Sequence, residues 1–219
     1  MPFKSRISLG FVLIAGIFLS GCQSIYYSAM EKLGTEKRDI LVSRVKAGRD
    51  DQEKAKEQFK DALEQFKATV KTDGGSLEAK YNTLSSGYER SKDRADAVNE
   101  RIKSIESVSE DLFSEWKSEL KQYKDPSLRR SSEKQLDATR DRYEQLIGKM
   151  KAAASKMTPI LESFHDQVLY LKHNLNASAI ASLDNERITL EKDIDALVKE
   201  MEDSINEANA FIAHMGTTS

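Results

Sequence analysis

Between Leu77 and Tyr123 the sequence steps by four and then three residues through Leu77, Tyr81, Leu84, Tyr88, Ser91, Ala95, Val98, Ile102, Ile105, Ser109, Leu112, Trp116, Glu119 and Tyr123. Eleven of those fourteen positions are apolar or aromatic. A strand would alternate every second residue, so a stripe held this long demands a helix. Its mean period of 3.5 residues is that of a coiled-coil seam. The same spacing runs through Leu41, Val45, Gly48, Gln52, Ala55, Phe59, Ala62 and Phe66. It recurs through Leu136, Thr139, Tyr143, Leu146, Met150, Ala153, Met157, Ile160 and Phe164. A fourth stripe takes Leu183, Leu190, Ile194, Leu197, Met201, Ile205, Ala208 and Ile212.

Three interruptions separate the stripes. Thr72-Asp73-Gly74-Gly75-Ser76 stops one helix with paired glycines and offers Ser76 as the next cap. Lys124-Asp125-Pro126 has a capping Asp followed by a proline suited to the first helical position. His173-Asn174-Leu175-Asn176-Ala177 is the third. The predicted helices therefore span about 30–71, 76–123, 127–173 and 178–215, and Pro159 predicts a kink in the third. Short connections make consecutive helices antiparallel. The expected fold is all-α, an elongated up-down-up-down four-helix bundle or coiled coil over residues 30–215, with a tail at 216–219. The narrow stripes leave homo-oligomerisation open.

Charge is uneven along this pattern. The chain is 32% charged, yet residues 152–183 carry only Lys156, Glu162, Asp166 and Lys172, where about ten charges are expected. Two readings stand side by side. The segment is a wider buried surface where the helices meet. Alternatively, it is an exposed hairpin tip that docks a partner through Phe164, Leu169, Tyr170, Asn174 and Asn176.

The first 21 residues read differently. Lys4 and Arg6 precede an apolar run from Ile7 to Leu19 that is broken only by Ser8 and is short for a bilayer span. It ends on Leu19-Ser20-Gly21-Cys22, which contains the only cysteine of the 219 residues. A lone thiol can form neither an internal disulfide nor a multi-cysteine metal site. Leu-Ser-Gly-Cys resembles the lipobox of bacterial lipoproteins. That resemblance implies a signal peptide at 1–21, cleavage between Gly21 and Cys22, and lipid on the Cys22 sulfur, with 22–29 as a short linker. Gln23, in place of the Asp linked to inner-membrane retention, implies the inner leaflet of the outer membrane, facing the periplasm. Tyr26 and Tyr27 are then placed for the bilayer interface.

Signal removal leaves 32 Lys plus Arg against 36 Asp plus Glu, a net charge of −4. Signs are mixed along the chain, so no nucleic-acid footprint arises. Catalytic motifs are lacking. Gly148-Lys149 is followed by Met150 and is no phosphate loop. Glu162-Ser163-Phe164-His165 matches half of a di-iron motif but has no second pair. His165, His173 and His214 are dispersed. No cofactor, metal or catalytic residue is expected.

A second resemblance covers most of the mature chain. Tyr26-Tyr27-Ser28-Ala29-Met30-Glu31-Lys32-Leu33-Gly34, Lys37-Arg38-Asp39-Ile40-Leu41-Val42, Gln58-Phe59-Lys60-Asp61-Ala62-Leu63-Glu64-Gln65-Phe66 and Leu171-Lys172-His173-Asn174-Leu175-Asn176-Ala177 resemble the proteobacterial lipoproteins grouped as domain of unknown function 2959. That family implies a helical envelope lipoprotein and supplies no site residues. The resulting expectation is a non-enzymatic spacer or scaffold, membrane-bound through Cys22 and meeting a protein partner in the envelope. Alternatives are an accessory subunit of a transport or secretion assembly, and an enzyme with an unrecognised site.

Overall fold

The structure, a computed structural model, describes residues 36–71, 76–174 and 176–217. Gly21, Cys22, Tyr26 and Tyr27 lie outside the described residues. The chain divides into a unit at 1–40 and a unit at 41–219. Of the first, only residues 36–40 are described, and they begin a helix.

Four helices make up the described structure: α1 Lys37–Lys71, α2 Leu77–Glu119, α3 Pro126–His173 and α4 Ala177–Thr217. No strand occurs among the described residues. At 1.5 Å per residue the helices are about 50–70 Å long. Their starts follow local chemistry. The Ser76 side chain accepts from the Ala79 amide at 3.3 Å. Asp125 accepts from Ser127 and Leu128 at 2.7 and 3.3 Å, with Pro126 at the first helical position. Asn176 Oδ1 accepts from the Ala179 amide at 2.9 Å. Each occupies backbone donors that no preceding turn can satisfy. Helix α2 stops at Glu119 rather than 123, because Leu120, Lys121 and Gln122 form a turn. Helix α3 continues through Pro159, which is exposed.

The pairing of side chains reveals the topology of residues 41–219. Between α1 and α2, Arg101 binds Asp51 at 2.9 Å and Arg90 binds Gln65 at 3.0 Å. Trp116 donates to Ser132 at 2.8 Å, and Lys151 pairs with Glu106, linking α2 and α3. Lys156 lies 3.8 Å from Glu200 between α3 and α4. Helix α1 also meets α4 through Gln52–Ser204 at 2.8 Å and Lys67–Glu191 at 2.5 Å. In the α1–α2, α2–α3 and α1–α4 pairs one number rises as the other falls, and Tyr170 of α3 and Ser182 of α4, which line one groove, give α3–α4 the same order beside Lys156–Glu200, so these neighbours are antiparallel. The α2–α3 turn, Leu41 near the start of α1 and the close of α4 consequently share one end. The α3–α4 turn and the close of α1 share the other.

Helices α1 and α3 face each other across the centre. Phe66 meets Phe164 edge-on at 6.1 Å, and Phe164 meets Tyr88 at 6.2 Å. A Cβ at Gly48 would come within 2.8 Å of Met150 and 2.9 Å of Ile105, so glycine permits a close approach of three helices there. All eight predicted α1 stripe residues are buried. In α4 the seam corrects the expected spacing: Ser204 and Phe211 are buried, whereas Ile205 and Ile212 are only partly so. The buried set Met201, Ser204, Ala208, Phe211 and Met215 keeps the three-four alternation, with Ser204 and Phe211 each one residue before the expected Ile205 and Ile212.

Candidate functional site

The charge-poor segment resolves into core and rim. Met157, Ile160, Phe164, Val168 and Leu171 are buried on α3, and Ala179, Ile180 and Leu183 on α4. Phe164, at 1% exposure, is thus a core residue and unavailable to a partner. Leu169 and Tyr170 are exposed, at 43% and 45%. Asn174 and Asn176 close the turn: Asn174 Nδ2 donates to the Tyr170 carbonyl at 2.9 Å, while Asn176 caps α4. Of the five expected docking residues, only Leu169 and Tyr170 present substantial apolar surface.

Beside Tyr170 lies a groove of about 580 Å³ between α3 and α4, lined by Ser163, Asp166, Gln167, Tyr170, Ser182, Leu183 and Glu186. Gln167 is 6% exposed. Its Nε2 donates to Ser163 Oγ at 3.3 Å, but its Oε1 is buried without a hydrogen-bond partner. An unmatched buried acceptor costs about 1–3 kcal/mol. Asp166 and Glu186 are exposed and form no ion pair among the described residues. The groove therefore offers two exposed carboxylates, and Gln167, whose unmatched amide oxygen is buried, lines it beside them. Its chemistry suits a donor-rich cationic group. Sequence reasoning missed Ser163, Gln167, Ser182 and Glu186. A signal existed in Ser163, Asp166, Gln167 and Tyr170, polar-tipped residues at helical spacing within an otherwise apolar stretch.

A second groove, of about 270 Å³, lies between α2 and α3 and includes Tyr88, Lys92, Asp96, Glu162 and His165. Here the charges answer one another. Lys92 donates to Asp96 at 2.8 Å, and that hydrogen bond raises its pKa above the ordinary lysine value. The His165 ring stacks at a tilt on Tyr88 with centroids 5.0 Å apart. Glu162 and His165 thus share a groove, but no group of three or more metal-ligating side chains exists among the described residues. No helix among those residues is long and apolar enough to cross a membrane.

Among the described residues these features define an all-α helical bundle of four helices, with a polar groove near one end of residues 41–219. The chain belongs to the family described as Protein of unknown function (DUF2959), whose model matches residues 26–215. No curated protein and no solved structure matches the chain significantly.

Proposed function

We propose that this protein is a non-enzymatic envelope scaffold, held to a membrane by lipid on Cys22, that engages a protein partner at the α3–α4 end. The observation that carries the proposal is the Gln167 groove. A buried acceptor without a donor belongs to a groove that exposed Tyr170 also lines, with Asp166 and Glu186, neither of which forms an ion pair among the described residues. A lysine or arginine on the partner would pair with the carboxylates and, with the Gln167 amide turned outward, satisfy its Oε1, while Tyr170 supplies apolar contact at the rim. The antiparallel register supports the division of labour. Within residues 41–219, Leu41 lies at the end opposite this groove.

The test is a photocrosslinker placed at Tyr170 in living cells. A discrete adduct is expected with the wild-type groove and not with Gln167→Leu or the Asp166→Lys, Glu186→Lys pair. Gln167→Leu removes the orphaned acceptor and should not lower the melting temperature, which separates loss of a contact from loss of the fold. An undiminished adduct in both variants refutes the groove as the docking site. Metabolic labelling with palmitate, abolished by Cys22→Ser, tests the anchor separately.

A further inference from the structure

The opposite end of the bundle carries a cationic surface. Lys117, Lys121, Lys124, Arg129, Arg130 and Lys134 surround the α2–α3 turn, and all six are exposed. None forms an ion pair among the described residues, in contrast to the paired lysines and arginines farther along the helices. Three acidic residues share the stretch: Glu119, Asp125 and Glu133. Asp125 is occupied by the Ser127 and Leu128 amides as the α3 cap. The excess of positive charge contrasts with the mature chain's net of −4. Two apolar side chains stand out among these cations, Tyr123 at 43% and Leu128 at 58% exposure.

We infer that the α2–α3 turn rests on an anionic phospholipid surface, the cations meeting headgroup phosphates while Tyr123 and Leu128 enter the interface. Charge complementarity selects the occupant. Clusters of four to eight basic residues bind anionic lipid through summed electrostatics, and a tyrosine ring favours the headgroup level. A polynucleotide would use the cations but would leave Leu128 without a role. Position agrees, because Leu41, where the chain arrives from the Cys22 side, shares this end of the bundle. The inference deepens the proposed anchoring by adding a second foothold. Lipid on Cys22 would tether the chain, and the turn would set the bundle's orientation on the bilayer.

The test uses the full chain with Cys22→Ser and a single new cysteine, Gln122→Cys at the turn or Ser178→Cys at the other end, each labelled with an environment-sensitive fluorophore. Vesicles are phosphatidylcholine alone or with about 30% phosphatidylglycerol. The label at 122 should brighten at least about twofold and shift to the blue on the anionic vesicles only, and lose the response in high salt. The label at 178 should not respond. Reversing Lys121, Lys124, Arg129 and Arg130 to Glu should weaken the response about tenfold or more with the melting temperature retained. Tyr123→Ser with Leu128→Ser should reduce the blue shift while leaving charge unchanged. No response at 122, an equal response at 178, or a response indifferent to charge reversal would overturn the inference. So would binding to RNA without response to vesicles. Because the probe chain has Ser at 22, failure here is distinct from failure of the anchor, which palmitate labelling reads on the wild type.

Discussion

The two ends of the bundle are built from the same helix, α3, yet differ in almost every respect. Between Lys121 and Gln135 no side chain is buried, and only Ser132 is even partly covered. Between Ala153 and Leu171, by contrast, the buried set recurs every turn and includes Phe164, around which Phe66 and Tyr88 gather. The α2–α3 end is instead held by a small cluster of Phe113, Leu120 and Leu136, with Trp116 and Tyr143 packed beside it. Phe113 meets Tyr143 at 5.5 Å and lies under the Arg140 guanidinium at 5.3 Å. Burial of the Tyr143 phenol raises its pKa above the ordinary value, so its proton is held more firmly than that of a solvated tyrosine. One end is a shared core carrying a groove. The other is a charged turn supported by a local clasp.

The sharpest way to break the contrast is to empty each end in turn. Phe164→Ala should cost about 3–5 kcal/mol, because the ring is fully enclosed by several helices. Phe113→Ala should cost less, about 2–3 kcal/mol, since its cluster is small and partly open to solvent. Urea titration ranks the two, and a larger loss for Phe113→Ala would reverse the assignment of the main core. Between the ends, Ser204→Ala should cost about 1–3 kcal/mol by the same measurement. It removes the hydroxyl donor to Gln52 Oε1 in a position where Gln52 Nε2 is already without a partner.

A finer comparison sets the two caps against each other. Asp125→Ala should destabilise by about 1 kcal/mol and Asn176→Ala by somewhat less, because Asp125 accepts two amides and Asn176 one. Hydrogen exchange over the first turns of α3 and α4 would report each loss locally; equal acceleration of both would remove the distinction.

The smallest effect belongs to Lys67–Glu191, which ties α1 to α4 near the groove end. Its hydrogen bond to Lys67 lowers the Glu191 pKa, and the same bond raises that of Lys67. The glutamate's contribution is present above its unfolded pKa and fades as pH falls through the lowered folded value. The lysine's is present below its unfolded pKa and fades as pH rises through the raised one. Melting temperatures of wild type and Lys67→Met should therefore differ slightly at neutral pH and converge in acid. A gap that persists in acid would mean that the aliphatic stem of Lys67, rather than its charge, matters.

Much of this arrangement can be read from residue spacing. The α1 stripe was legible without error because Phe59 and Phe66 alternate with small or flexible residues in one unbroken register. The caps at Ser76 and Asp125 were legible because their chemistry is local. The α4 seam was not: Ile205 and Ile212 are together more apolar than Ser204 and Phe211, yet the latter pair is the buried one, with Ser204 donating to Gln52 of α1. Phe164 and Leu169 illustrate the same limit at the candidate site. Both are large apolar residues of one segment, five positions apart, yet one lies at the centre and the other at the rim.

Among the described residues the sequence by itself determined the four helices, the places where they are interrupted and the antiparallel order that short turns impose, since each follows from periodicity and from backbone donors within a few residues. It also placed Leu-Ser-Gly-Cys at the close of an apolar run. Tertiary structure alone decided which acceptor was left unmatched at Gln167 and how Asp166 of one helix and Glu186 of another came to line one groove. Those outcomes depend on the rotation and register of helices against one another, and such relations lie between segments rather than within any of them.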